Sequence, residues 1–186
     1  MNSISTEIRH SQNRAQDFAD LEYRRKFMQL TDKDCASIRL IKEIIDRELP
    51  IALDIFYEQV RKTPETSSFF PTEAKIAHAK HAQQEHWKNI SSANFDQKYA
   101  EKVHTIGSVH ARIGLEPRWY IGGYTIVLDH LIRSIISGLT PKTGLFAKQT
   151  TISSEEMWEA IASLCKAVVL EMDLTISVYL EEAEKA

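Results

Sequence analysis

Apolar residues along this chain recur at intervals of three and four, never in a sustained alternation of two, which predicts helices and no strands. From 12 to 28, Ala15, Phe18, Leu21, Phe27 and Met28 stand among many charges, as on an exposed leading helix. Thr31-Asp32-Lys33-Asp34 reads as a capped start for a helix over 32–47, with Ile38, Ile41 and Ile45 on one stripe. Pro50 can occupy the first turn of the next helix, where its missing N–H costs nothing. That helix is expected to run to about Lys62, with Leu53, Phe56, Tyr57 and Val60 on one side. After the polar break at 63–68 and the pair Phe69-Phe70, Pro71 opens a helix over 72–90. Asn94 or Asp96 caps another to about Ile113, which Gly114 stops. Pro117 restarts a helix to about Ser137, with Gly138 at its end. A loop with Pro141 and Gly144 follows, and Ser153-Ser154-Glu155-Glu156 opens the last helix, 154–183. The chain is all-α.

Composition narrows the functional classes. The 186 residues are 43% hydrophobic and 26% charged, which suits one globular domain and excludes disorder or a fibrous repeat. Lys and Arg total 23 against 26 Asp and Glu, a net charge of −3, so a binder of nucleic-acid backbone is not expected. The longest clean apolar stretch, Ala167 to Leu170, is far short of the roughly 20 residues that span a bilayer. The first five residues lack the charged-then-apolar order of a secretory signal. Cys35 and Cys165 form no CxxC and lie far apart, so a reducing cytoplasm is expected. Phosphate-cradling loops, GxSxG, HExxH and paired catalytic carboxylates are absent, and an enzyme is not expected.

One candidate for chemistry stands out. Tyr99, Val103, Ile106, His110 and Ile113 are spaced 4-3-4-3, the buried stripe of an amphipathic helix with a histidine inside it. A buried imidazole needs a partner, so His110 is either a core histidine satisfied by a hydrogen bond or a metal ligand. His104 is rotated away from that face. His78 and His81 are three apart and could chelate a metal, but their neighbours Lys75, Lys80, Gln84 and Glu85 are those of a solvated face.

The string His110-Ala111-Arg112-Ile113-Gly114-Leu115-Glu116-Pro117-Arg118-Trp119-Tyr120 resembles the histidine-bearing corner of the globin-coupled sensors, the bacterial haem-based oxygen sensors related to protoglobins. Phe56-Tyr57 resembles the Phe-Tyr pair of the family's B helix, and His86 stands where the distal E helix of the family has a histidine. The likeness covers about residues 20–180 and is tightest over 104–124. It implies a globin-like helical sandwich with an N-terminal extension and pre-helix over 1–30, a sensor domain over 31–186, and a missing or rudimentary D helix. It implies haem b, with His110 as the iron ligand and Tyr57 as a donor to bound O2. By stripe position alone Tyr57 reads better as a core aromatic with its hydroxyl on a backbone carbonyl, and its placement relative to His110 in the family reverses that preference. Tyr120 corresponds to a proximal-side tyrosine implicated in signalling, and its alternative is packing between helices. Phe69 falls where globins pack an aromatic against the haem face, or else it staples the chain beside Pro71. The sequence departs from some relatives at Ala82, where they carry a hydroxyl-bearing Thr. Gln83 is its neighbour, and distal stabilisation then rests mainly on Tyr57.

The resemblance implies gas sensing, with O2 as ligand and CO and NO also binding ferrous iron, and transmission to a C-terminal output domain or partner protein. The apolar positions Ile121, Thr125, Leu128, Ile132 and Ile135, with Ile161, Leu164, Val168, Met172, Ile176 and Tyr179, suggest a homodimer through the helices 117–137 and 154–183. Two other classes stay open: a haem-free globin-like interaction module, and a haem enzyme such as a nitric oxide dioxygenase.

Overall fold

The structure, a computed structural model, describes residues 2–139 and 152–184, with side chains over 15–138 and 152–182. Among the described residues there are eight helices and no strand. They are α1 (Asn2–Phe27), α2 (Asp32–Leu40), α3 (Lys42–Lys62), α4 (Pro64–Ser67), α5 (Glu73–Ser92), α6 (Gln97–Arg112), α7 (Pro117–Leu139) and α8 (Ser154–Glu184). None of them is long and apolar enough to cross a membrane. The loop carrying Pro141 and Gly144 lies outside the described residues.

Capping chemistry fixes most helix starts. Thr31 accepts from the Asp34 N–H while the Asp34 carboxylate accepts from the Thr31 N–H, a reciprocal box. Thr72 caps α5 through the Lys75 N–H, one residue after the expected Pro71, and Asp96 caps α6 through the Tyr99 N–H. Ser153 and Glu156 form the same kind of box at α8.

Pro50 does not begin a helix. The break falls at Ile41, whose backbone leaves the helical region at φ −100°, ψ 3°, and α3 runs unbroken through Pro50. An internal proline removes one backbone hydrogen bond. Here the apolar face keeps its phase across it, through Ile45, Leu49, Ala52, Leu53, Tyr57 and Val60, so packing holds the helix together. Likewise α7 continues past Gly138 to Leu139.

The helices pack into the globin-like sandwich expected. The main packing pairs are α3 with α7, α6 with α8, α2 with α8, and α3 with α5. Between α3 and α5 stands only the single turn α4, so no D helix forms. Leu21, Ile38, Ile45, Leu53, Leu131 and Leu164 are fully buried at the centre. The leading helix α1 lies on α6 and is tied to α8 by Arg24, which donates to Asp173 at 2.7 Å and Ser177 at 2.8 Å. Asp34 ties α2 to α8: it accepts from Ser163 at 3.0 Å and Lys166 at 2.8 Å. Burial works to raise its pKa, but the Lys166, Thr31 and Ser163 hydrogen bonds outweigh it and hold Asp34 well below the usual carboxylate range. α5 and α6, consecutive in sequence, do not pack along one another.

Candidate functional site

The corner that carries His110 is built from backbone geometry. Leu115 N–H donates to the His110 carbonyl at 3.1 Å and Gly114 N–H to the Ala111 carbonyl at 3.0 Å. That pair is a Schellman closure, and it requires the left-handed backbone that Gly114 supplies at φ 71°. Three residues before His110, Gly107 lets α6 lie against α8: a Cβ there would stand 2.8 Å from Val178 Cβ and 3.1 Å from the Thr175 carbonyl. The last turn of α6 is therefore fixed both along its axis and against α8.

The structure shifts the apolar stripe. Tyr99, Ala100, Val103 and Gly107 are the buried face of α6, whereas Ile106 and His110 are half-buried and Ile113 is exposed. His110 stands at the edge of the core, with the rings of Tyr120 at 5.3 Å and Tyr179 at 6.3 Å. Burial, and then the nearby charge of His86, hold its pKa down at about 4, so the ring is neutral at physiological pH. Its Nδ1 is buried without a well-formed hydrogen bond, the Ile106 carbonyl being its backbone neighbour, and no side chain hydrogen-bonds to the ring.

Beside it lies a buried polar network that sequence periodicity did not disclose. Glu171 of α8 has no exposed surface. Tyr99 donates to its Oε2 at 2.6 Å, and His86 Nε2 lies 2.9 Å from its Oε1. Because that oxygen is an acceptor, His86 Nε2 carries the proton, shared with the Tyr124 hydroxyl at 3.0 Å. Burial works to raise the Glu171 pKa, but the charge of His86 and the hydrogen bonds from His86, Tyr99 and Tyr120 lower it, so the group stays ionised. Tyr120 is held more loosely: its hydroxyl is 3.1 Å from Thr175 Oγ1, 3.3 Å from the Tyr124 hydroxyl and 3.5 Å from Glu171 Oε1. The clue available in the sequence is phase. Leu164, Val168, Glu171, Thr175 and Val178 are spaced 4-3-4-3 and are all buried, so the inward face of α8 passes through Glu171 and not through Met172 and Ile176.

Tyr57 occupies a separate cluster on the α3–α5 side, with Val60, Ile76, Phe56, Phe70 and Ala79. Its ring meets Phe70 edge-on at 5.5 Å, while Phe69 is half-buried and makes no such contact. Only 2% of Tyr57 is exposed, yet its hydroxyl has no hydrogen-bond partner among the described residues, and burial raises its pKa. Ala82 is exposed on α5, and Gln83 beside it has its side-chain oxygen buried and unpartnered. His78 and His81 are exposed, no group of residues among those described could hold a metal ion by itself, and His104 pairs with Asp17 at 3.4 Å.

The sequence pattern of the protoglobins matches residues 17–185. The chain belongs to the protoglobin family. It is 19% identical over 166 residues to the heme-based aerotactic transducer HemAT of Halobacterium salinarum, covering 89% of this chain and 33% of that protein. The protoglobin chain thus spans about a third of that relative's length. Its fold is similar to the globin domain of a Geobacter sulfurreducens globin-coupled sensor, with a TM-score of 0.73 at 17% identity over 85% of this chain and 96% of that one. The globin domain of E. coli DosC in its ferrous form superposes with a TM-score of 0.60 at 21% identity, over 79% and 97% of the two chains.

Protoglobins are globins, and the residues present fit a haem ligated by imidazole. A metal ligand must offer a deprotonated ring nitrogen, and His110 is neutral and uncommitted to any side chain. It stands on a rigid corner of α6, and α5, the helix opposite, is not packed along it. His86, by contrast, is committed through Nε2 to Glu171.

Proposed function

We propose that this protoglobin is a haem-based gas-sensing domain that holds haem b through His110 and binds O2 reversibly. The single observation that carries the reading is the neutral, uncommitted imidazole of His110 on a corner fixed by Gly107 and Gly114. Ferrous haem supplies a site for O2, CO or NO. The chain supplies the rest. His110 binds and orients the group, and Tyr57 offers a phenol O–H whose donor no atom of the described residues uses. Phe70 walls that side, and Ala82, exposed on α5, adds no second hydroxyl.

Tyr120 packs on the His110 ring and reaches toward α8 through its hydroxyl, which makes it the route by which a shift at the haem reaches the last helix. The ligand biases two arrangements of the domain only through contacts that differ between them. The half-buried or exposed positions Ile161, Cys165, Val169, Met172, Ile176 and Leu180 form an outward apolar stripe on α8. Ile121, Leu128 and Ile132 do the same on α7. A two-fold pairing of these faces would make a homodimer and carry the signal past residue 180 to an output domain or partner protein. The stripe differs from the one read from the sequence, since Leu164, Val168 and Tyr179 are spent on the core.

The absorbance spectrum of the protein after addition of haem tests the reading. A ferrous spectrum that changes reversibly with O2 is expected. A protein that takes up no haem would make it a haem-free module instead, and reversible binding replaced by turnover of nitric oxide would make it an enzyme. Sedimentation at micromolar concentration tests the dimer, and a clean monomer in both ligand states would remove it.

A further inference from the structure

Glu171 is buried at the meeting point of four helices, where it is cut off from solvent. A carboxylate taken out of water needs protein donors in exchange. It has them from His86 on α5, Tyr99 on α6, Tyr120 on α7 and Thr175 on its own helix. Its ion-pair partner among the described residues is a histidine, not Lys or Arg, and a neutral imidazole leaves its negative charge uncancelled. In a dry interior such a charge acts over several ångströms. Tyr120 bridges it to His110: the Tyr120 hydroxyl lies 3.5 Å from Glu171 Oε1 and its ring centroid 5.3 Å from that of His110.

We propose that Glu171 tunes the haem held by His110, its buried negative charge beside the proximal imidazole favouring the ferric over the ferrous state. The inference rests on the proposed haem site. The physical reason is that the oxidised iron carries one more positive charge, so a fixed anion in low dielectric stabilises it more than the reduced form.

Spectroelectrochemical titration of the haem-loaded chain at about pH 8, well above the carboxylate range, tests this. Glu171→Gln keeps the shape and removes the charge. Its midpoint should move positive, with the ratio of ferrous to ferric haem raised about tenfold or more at a given potential, which is ~59 mV for one electron. Glu171→Asp keeps the charge while disturbing the geometry, and its midpoint should stay close to wild type. Tyr99→Phe removes the 2.6 Å donor and leaves the charge less compensated, so its midpoint should move negative. A group that merely clamps the helices would shift all these variants the same way. Equal shifts for Glu171→Gln and Glu171→Asp, or a positive shift for Tyr99→Phe, would overturn the proposal. Where Glu171→Gln fails to retain haem, the sign of the Tyr99→Phe shift decides. A wild-type chain that binds no haem would remove the underlying reading, and that result is seen before any variant is compared.

Discussion

Two buried phenols in this molecule have opposite fates. On the α6–α8 side, Tyr99 donates at 2.6 Å to an ionised carboxylate and is closed into the fold. On the α3–α5 side, the Tyr57 residue is equally buried, yet its hydroxyl has no hydrogen-bond partner among the described residues. A hydroxyl without a protein partner adds nothing to stability, so the fold gains nothing from keeping it. The same contrast holds for the imidazoles: His86 is tied to Glu171 and Tyr124, while the ring nitrogens of His110 are left uncommitted. Groups that the architecture satisfies hold the helices together, and under the proposed function His110 and Tyr57 are left for a ligand.

The largest effect expected along this divide is at His110. His110→Ala should abolish stable haem retention, whereas His78→Ala, His81→Ala and His104→Ala should leave the spectrum unchanged. A normal five-coordinate ferrous spectrum from His110→Ala would erase the contrast.

The two tyrosines should then respond in opposite assays. Tyr99→Phe removes a hydrogen bond to a buried charge and should lower the unfolding free energy of the apoprotein by ~1.5–3 kcal/mol. Tyr57→Phe removes an unpartnered hydroxyl and should leave that free energy unchanged or slightly raised. In the haem-loaded protein the order reverses: Tyr57→Phe should speed O2 release about 10- to 150-fold, with a smaller effect on CO, which gathers less negative charge. Urea unfolding and stopped-flow release rates measure the two. Equal effects on O2 and CO would take Tyr57 out of the ligand site.

Acid should sharpen the same distinction. His110 has its folded pKa lowered from 6.5 to about 4, so between those values the unfolded chain takes up a proton that the folded chain refuses. The apoprotein should lose stability as pH falls through that window, and His110→Ala should flatten the loss. Asp34 and Glu171 are lowered carboxylates. Their stabilisation is present above their unfolded values near 4 and is lost as pH falls further, so Asp34→Asn should flatten only the lower limb. Urea midpoints from about pH 7 down to about pH 3 would resolve the two limbs.

A smaller loss of stability than at Tyr99 is expected at Tyr120, whose nearest acceptor is 3.1 Å away and whose alternatives are longer. Tyr120→Phe should cost about 0.5–1.5 kcal/mol and keep the haem. In a protein with its output domain it should blunt ligand-dependent output, and unchanged regulation there would move the signal to another route.

The sequence by itself determined the helical class, the cap at Thr31, and the corner at His110, because each depends on residues within a turn of one another. Gly114 and Pro117 force that corner whatever packs around it. The tertiary structure decided the rest. Pro50 lies inside a helix because the core on both sides of it outweighs one lost hydrogen bond. Phe70 rather than Phe69 meets Tyr57, since the turn after α4 sets which ring faces inward. Above all, Glu171 was unreadable as a centre: its donors Tyr99 and Tyr120 lie 72 and 51 residues away in the chain. Periodicity tells which side of a helix is apolar, but not which side chains from other helices will meet there. An ionised carboxylate can be buried only where such donors converge, and that convergence exists only once the helices have packed.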